Sequence, residues 1–326
     1  MTCATPPEDA SSDPAHIEAE ARLDDDSRQP EDAGSSRLFR VDPRLAPGLY
    51  VVSTPIGNLR DITLRALDIL ASVDVVCAED TRVAGKLMSA FGVSARLRPY
   101  HDHNGAQARP GLLKELESGS RIALMSDAGT PLISDPGYKL VREAAELGIP
   151  IYAIPGASAP LTALASSGLP TDRFTFAGFP PPKSSARKRF LTEMKSGQGT
   201  LIFFEGPSRL VASLTDMAEV FGAREAAVAR ELTKKFEETR RGLLPDLAAH
   251  YAEAGPPRGE IVILVGPPGE QGPPEANAID AAILAADDSR PLKEIAAEIA
   301  EALGLKRRDV YERALELRDA ADDEEA

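Results

Sequence analysis

"GLYVVSTPIGNLRDITLRALDILASVDVVCAED", residues 48–80, changes its hydrophobic period twice. The opening run at 48–52 is short and apolar, the length of a buried strand, and the turn residues STPIGN at 53–58 close it. From 61 to 70 the apolar residues recur at helical spacing. A second apolar run at 73–78 follows and ends in the polar cluster Glu79, Asp80, Thr81, Arg82. Strand, polar turn, helix, strand is the pattern of an α/β architecture.

The alternation extends on both sides. A strand-like run at 121–125 ends in "SDAGTPLISDPG", 126–137, which places two turn signals before helical spacing resumes at 139–147. Within that stretch Asp135 is positioned to cap the following helix. Another strand at 149–154 leads to a third turn, PGASA at 155–159. A second α/β block spans about 172–265, with strands expected at 174–177, 200–204, 226–229 and 261–265. The expected organisation is an acidic tail at 1–45, α/β domains at 46–168 and 169–266, and a Pro/Gly linker at 267–275. A small helical module follows at 276–318, and a second acidic tail at 319–326. In the module, 291–303 and 310–317 read as two helices joined by a Gly-containing turn, a helix-turn-helix pattern.

The 326-residue chain has room for two or three domains. No stretch approaches a membrane span, and the acidic N-terminus does not read as a secretory signal. Cys3 and Cys77 form no disulfide framework or metal-ligand cluster, which suits a reducing cytoplasm. The net charge of −14 is concentrated at the ends: 1–36 carries −8 and 319–326 carries −5, which leaves 37–318 at −1. A nearly neutral body lets local patches decide partners. Three basic runs stand out, with Lys183, Arg187, Lys188 and Arg189 in the first, and Lys234, Lys235, Arg240 and Arg241 in the second. The third is Lys306, Arg307 and Arg308. Each suits a phosphate backbone or is a solvated surface.

Ligands in α/β sheets gather at the carboxyl ends of strands. The turns at 53–58, 126–137 and 155–159 occupy such positions and favour a small-molecule cleft. None fits the Gly-x-Gly-x-x-Gly or Walker pattern. Glu79, Asp80 and Arg82 read either as a helix-capping turn or as site residues. His101 and His103 flank Asp102 and read as a solvated loop rather than a metal site, so no metal is expected. Residues 230–238 mix charges, as an exposed salt-bridged face does.

Six co-linear segments carry a resemblance: VVSTPIGNLRDIT, CAEDTR, SDAGTPLISDPG, IPGASAPLTALASSGLP, FFEGPSRL and RELTKKFEE. Together, over about 48–265, they resemble the rRNA-modifying branch of the tetrapyrrole-methylase superfamily, and the helical module is similar to one found in that branch. The resemblance implies methylation of the ribose 2′-oxygen of a cytidine in the decoding centre of 16S rRNA, in the small ribosomal subunit. It also implies S-adenosylmethionine as cofactor, a cleft between two α/β domains, and a homodimer. Carried over by motif, the cofactor residues are Pro55, Ile56, Gly57, Ala128, Gly129, Thr130, Ile133, Ser158, Ala159, Glu205 and Leu232. Where tetrapyrrole-modifying relatives carry Gly-Asp and Gly-Asp-Pro, this chain has Gly57-Asn58 and Gly129-Thr-Pro131, which fits the RNA branch.

A ribose hydroxyl is a poor nucleophile, so a general base is expected, with Asp80, Glu79 and Glu205 as candidates ahead of His101 and His103. Arg82 and Arg209 join the basic runs as candidates for RNA phosphate. Two other readings stand beside this one: a methylase of a small tetrapyrrole precursor, and a non-catalytic nucleic-acid-binding protein led by 291–317.

Overall fold

The computed structural model describes residues 38–268, 276–286, 290–303 and 305–324. Five strands build the first sheet: β1 (Gly48–Val52), β2 (Val75–Ala78), β3 (Leu97–Pro99), β4 (Arg121–Met125) and β5 (Ile151–Ile154). Their order is β3-β2-β4-β1-β5 and every pairing is parallel. Period-two alternation gives the strands two buried faces. Tyr50, Val52, Val76, Ala78, Ala123 and Met125 pack on one face against α1 (Leu64–Ser72) and α2 (Thr81–Ala90). Leu49, Val75, Cys77, Ile122 and Leu124 pack on the other against α3 (Gly105–Glu117) and α4 (Tyr138–Glu146). Burial there pushes the Cys77 thiol up to about 12, so it is an inert core residue.

The second sheet contains β6 (Phe174–Phe176), β7 (Thr200–Glu205), β8 (Glu225–Arg230), β9 (Glu238–Leu243) and β10 (Ile261–Val265), in the order β6-β7-β10-β8-β9. Only β6 and β7 run parallel; the other three pairings are antiparallel. One face packs on α6 (Ser184–Thr192), α7 (Leu210–Phe221) and α8 (Leu244–Ala254). The other receives α5 (Ala159–Ser167), through Ala163 and Leu164, together with Ile56 from the first domain. The helix that leaves the first sheet therefore contributes to the core of the second.

Three helices, α9 (Ala276–Leu284), α10 (Leu292–Leu303) and α11 (Arg307–Glu324), form the C-terminal module around Ile283, Ile295, Ile299, Val310 and Ala314. Arg313 grips Asp280 with two hydrogen bonds of 2.7 Å, tying α11 to α9. Among the described residues no helix is long and apolar enough to cross a membrane.

Several expectations change. The folded body begins before residue 46: Phe39 is buried in the first core, and the Arg40 and Asp42 amides donate to Asp68 and Ser72 of α1. Residues 1–37 of the expected tail lie outside the described residues, as do 269–275 of the linker and Gly304 of the expected turn. The acidic end at 319–326 continues α11 to Glu324, because no helix breaker intervenes. Asp135 does not cap α4; Gly137 takes the N-cap position at φ 126°, and no side chain bonds there.

Arg187, expected on an RNA-facing surface, is a core residue at 3% exposure. Its guanidinium meets Asp216 at 2.6 Å and donates to the carbonyls of Pro181 and Pro182. The planar fork of arginine can satisfy several acceptors at once, which lets it hold α6 against α7. Arg187→Ala leaves the buried Asp216 carboxylate with only the Ser184 hydroxyl at 3.0 Å and Lys188 at 3.7 Å, and is expected to cost about 3 kcal/mol. A urea titration checks this as a lowered unfolding midpoint, and an unchanged midpoint contradicts it.

Candidate active site

Register places the site. Ala78, Met125, Val52 and Ile154 are level across neighbouring strands, so the chain leaves β2, β4, β1 and β5 along one edge. Three of the four loops are then joined by hydrogen bonds. The Thr54 amide donates to the Gly129 carbonyl at 2.8 Å, and the Gly129 amide returns a bond of 3.0 Å. The Ser53 and Thr130 hydroxyls meet at 3.1 Å, and Thr130 Oγ1 donates to the Ala157 carbonyl at 3.3 Å. Backbones come very close here: a Cβ on Gly156 would stand 2.8 Å from the Ser53 Cβ. The sequence clusters Pro, Gly, Ser and Thr at these turns because the loops bond to one another.

Above this edge lies a cavity of about 480 Å³, closed on its far side by the second sheet. Ile56, Ala128, Gly129, Thr130, Ile133, Ser158 and Ala159 line it from the first domain, and Glu205 and Leu232 from the second. The structure thus brings nine of the eleven expected cofactor residues to one cavity. Pro55 and Gly57 are not in its wall; the aliphatic stem of Lys234 covers Gly57. Sequence reasoning missed Asp127, Phe179, Phe204, Glu260 and Val262. Phe204 stacks edge-on against Phe176 at 4.9 Å, and Phe179 lies 5.4 Å from it. Asp127 and Asp135 could have been found in the motif already singled out. The segment 259–262 reads only as the start of an ordinary strand.

Backbone strain is concentrated at the same place. Among the described residues the non-glycine positions with positive φ are Leu132, Ser134, Glu231 and Thr233. The first two belong to the loop after β4, and the last two flank Leu232 in the loop after β8. Such conformations cost on the order of 1–3 kcal/mol each and persist where surrounding structure holds them. Lys234 pins the second loop by pairing with Glu231 at 2.9 Å and Glu260 at 2.8 Å.

Asp127, Asp135, Glu205 and Glu260 contribute to the cavity wall, and among the described residues no lysine or arginine does. Glu205 is spoken for: its fully buried carboxylate meets Arg209 at 2.6 Å, Ser213 at 2.5 Å and the Gly206 amide at 2.8 Å. That network makes it a fixed acceptor, and corrects its reading as a free base. Asp80 caps α2 and is gripped by Arg82, whose hydrogen bonds hold the carboxyl down to about 2. It lies outside the cavity wall and is too weakly basic to deprotonate an alcohol well, a second correction. Glu79 also lies outside the wall, and burial beside Asp127 and Asp102 raises its carboxyl. Burial, followed by the charge of Glu79, pushes Asp135 up to about 6 against an opposing hydrogen bond from Ser126. His101 and His103 meet edge-on at 6.0 Å, away from this cavity.

The basic candidates separate. Arg82, Lys183, Arg189, Lys235, Lys306, Arg307 and Arg308 are exposed, with Arg82 paired to Asp80 at 2.6 Å and Arg308 to Glu312 at 2.7 Å. Lys188 is paired with Glu219, Arg209 with Glu205, and Lys234 bridges two glutamates, so these three are held as structural cations. Phe236 is 64% exposed beside Lys235, whose ammonium sits 5.5 Å from the ring centre.

This chain belongs to the tetrapyrrole (corrin/porphyrin) methylases, whose family model matches residues 48–248. A second model, the RsmI C-terminal HTH domain, matches residues 273–318. Among curated proteins it is 51% identical over 278 residues to a "Ribosomal RNA small subunit methyltransferase I" of Mesorhizobium japonicum, covering 85% of this chain and 94% of that one. The protein of the same name from Escherichia coli O157:H7 is 46% identical, covering 82% and 94%. Solved structures share the fold: a cobalt precorrin-4 methyltransferase superposes with TM-score 0.50 at 18% identity, covering 67% of this chain and 94% of that one. A diphthine synthase also superposes with TM-score 0.50, at 15% identity, covering 67% and 89%.

The raised Asp135 carboxyl has a thermodynamic consequence. The folded state holds its proton more tightly than the unfolded chain does, so ionisation in the folded state opposes folding. Between the ordinary carboxylate range and about pH 6, stability is lost as pH rises. Asp135→Asn removes that penalty. The variant is expected to melt above the wild type at pH 8, with the gap closing below pH 4, as read by thermal denaturation across pH.

Proposed function

We propose that this protein is an S-adenosylmethionine-dependent rRNA methyltransferase that modifies the ribose 2′-oxygen of a cytidine in 16S rRNA of the small ribosomal subunit. The observation that carries the reading is the cleft between the two sheets, whose wall is anionic and apolar, in a chain about half identical to proteins named for small-subunit rRNA methylation. A cationic ligand with an apolar adenosine-sized body suits such a wall. When bound, the cofactor supplies an electrophilic methyl group on a positively charged sulfur.

The residues present fit that group. Backbone at 127–130 and the apolar faces of Ile56, Ile133, Ala159, Leu232 and Val262 shape the pocket. Three donors, from Arg209, Ser213 and the Gly206 amide, hold the buried Glu205 side chain in place, so this part of the wall is fixed. The joined loops hold their geometry before ligand arrives, which conserves binding energy for alignment of the reacting atoms. Substrate RNA meets the exposed Lys183, Arg189 and Lys235, and Phe236 offers a face on which a splayed base can stack. The exposed Lys306, Arg307 and Arg308 at the start of α11 give the module its own phosphate-facing edge. The enzyme works in the cytoplasm as a homodimer, as the sequence resemblance implies.

Small subunits from cells lacking the modification, incubated with enzyme and labelled cofactor, are expected to gain one methyl group on a cytidine ribose, mapped by mass spectrometry. Methylation of a base, or of a tetrapyrrole precursor instead of RNA, overturns the reading. Gly129 sits at φ 80° with Ile56 3.4 Å from where a Cβ would stand. Gly129→Val is expected to weaken cofactor binding at least about tenfold by calorimetry, from backbone strain in the wall. Charge reversal at Lys183, Arg189 and Lys235 is expected to weaken RNA binding and flatten its salt dependence. Each lost phosphate contact removes roughly 0.7–0.9 from the log–log slope.

A further inference from the structure

A second, smaller cavity of about 190 Å³ opens beside the first. Tyr100, His101, Asp102, Arg109, Tyr138 and Lys139 contribute to its wall, so it is polar and carries both charges where the first is largely apolar. One residue belongs to both walls: Asp135. His101 brings a buried Nδ1 atom with no hydrogen-bond partner to this second cavity.

We propose that the second cavity is the acceptor-nucleotide subsite, and that Asp135, at its junction with the donor cavity, is the catalytic base that takes the ribose 2′-hydroxyl proton. The proposal rests on the methyltransferase reading above. A transfer between two bound molecules needs a donor cavity, an acceptor cavity, and a proton acceptor where they meet. Lys139, exposed at the mouth, suits the phosphate of a nucleotide, while Arg109 is held by Glu143 at 2.7 Å and fixes the wall; the unpartnered Nδ1 of His101 leaves a polar atom of that wall unsatisfied. The 2′-oxygen forms a bond to the methyl carbon as that carbon's bond to sulfur breaks. The sulfur keeps the electron pair as a neutral thioether, and the hydroxyl proton passes to the Asp135 carboxylate.

The surroundings suit that role. Glu79 and Asp127 face Asp135 from the ends of β2 and β4, and the Ser126 hydroxyl lies beside it. His101, Asp102 and Arg109 face it across the second cavity, along with Tyr100, Tyr138 and Lys139. Glu205 and Glu260 face it across the first. Burial, followed by the charges of Glu79 and Asp127, raises its basicity, yet at pH 7 it remains mostly ionised. Of the carboxylates in the first cavity wall, Asp127 is bound to the Asp80 amide at 3.0 Å, Glu205 to Arg209 and Glu260 to Lys234. Asp135 alone among these four also borders the second cavity.

The test uses the full-length enzyme, small subunits lacking the modification, and single-turnover conditions. Asp135→Asn is expected to slow methyl transfer by roughly 10²–10⁴-fold while cofactor affinity by calorimetry stays within about threefold. The wild-type rate is expected to rise with pH through about 6 and level off, and the residual rate of Asp135→Asn to lack that step. Asp135→Glu, which retains a carboxylate, is expected to recover part of the rate. Transfer by Asp135→Asn within threefold of wild type, or a rate loss matched by lost cofactor affinity, overturns the assignment. A wild type that puts no methyl on ribose overturns the functional reading itself, and the two failures are thereby distinct.

Discussion

The site depends on one constraint: four parallel strands end level, and the loops after β4, β1 and β5 must bond to each other. Parallel pairing leaves the carboxyl ends of strands with free backbone groups. Here the Thr54–Gly129 exchange uses some of them, and the Ser53–Thr130–Ala157 hydroxyl chain draws in the third loop. The result is a platform rather than three independent loops. It also fixes where α5 starts, and α5 in turn packs on the second sheet through Ala163 and Leu164. The cleft is therefore the unavoidable gap between a platform and a sheet that are held by the same helix.

Within that gap, charge is sorted. Cations that the chain brings nearby are consumed at its rim: Arg82 by Asp80, Arg209 by Glu205, Lys234 by Glu231 and Glu260. What remains facing inward is anionic, with Asp127 and Asp135 crowding Glu79. Like charges gathered at partial burial oppose folding, and so do four left-handed non-glycine residues in the two loops that face each other. Stability lost here is offset by the large apolar cores on both sides of each sheet.

Much of this was legible in the sequence, for specific reasons. The first sheet's strands are uninterrupted apolar runs because both of their faces are covered, and such runs announce themselves. The three turns stood out because backbone close approach demands Gly, Pro, Ser and Thr. The edge strands β3 and β9 were not legible. β9 reads Glu-Thr-Arg-Arg-Gly-Leu, half-exposed at the end of a sheet, where Arg230 and Arg240 pair with Glu238 in place of apolar packing. Arg187 was misread because a basic run looks alike whether one of its members turns inward or not; only the position of Asp216, 29 residues away, decides it. For the same reason the roles of Asp80, Glu205 and Asp135 could not be ranked from the chain alone. Asp80 and Glu205 are fixed by Arg82 and Arg209, which are local, whereas Asp135 is set by burial and then by Glu79, both of which depend on the tertiary fold.

That last contrast bears on how such a site divides its labour. Asp80 and Glu205 each have an arginine two or four residues onward, so each is paired with a partner close along the chain. Asp135 borders Lys139, four residues onward, across the second cavity, and its raised carboxyl comes first from burial and then from Glu79, so its basicity exists only once the fold has enclosed it and brought the strand ends together. A carboxylate paired locally is a fixture, suited to shaping a wall and holding a helix end. A carboxylate whose surroundings are assembled by the fold can exchange a proton near neutral pH, and it does so only in the folded molecule. The loop that carries it is the same "SDAGTPLISDPG" stretch whose first half bonds the platform together, so structural and proton-handling roles occupy opposite halves of one loop.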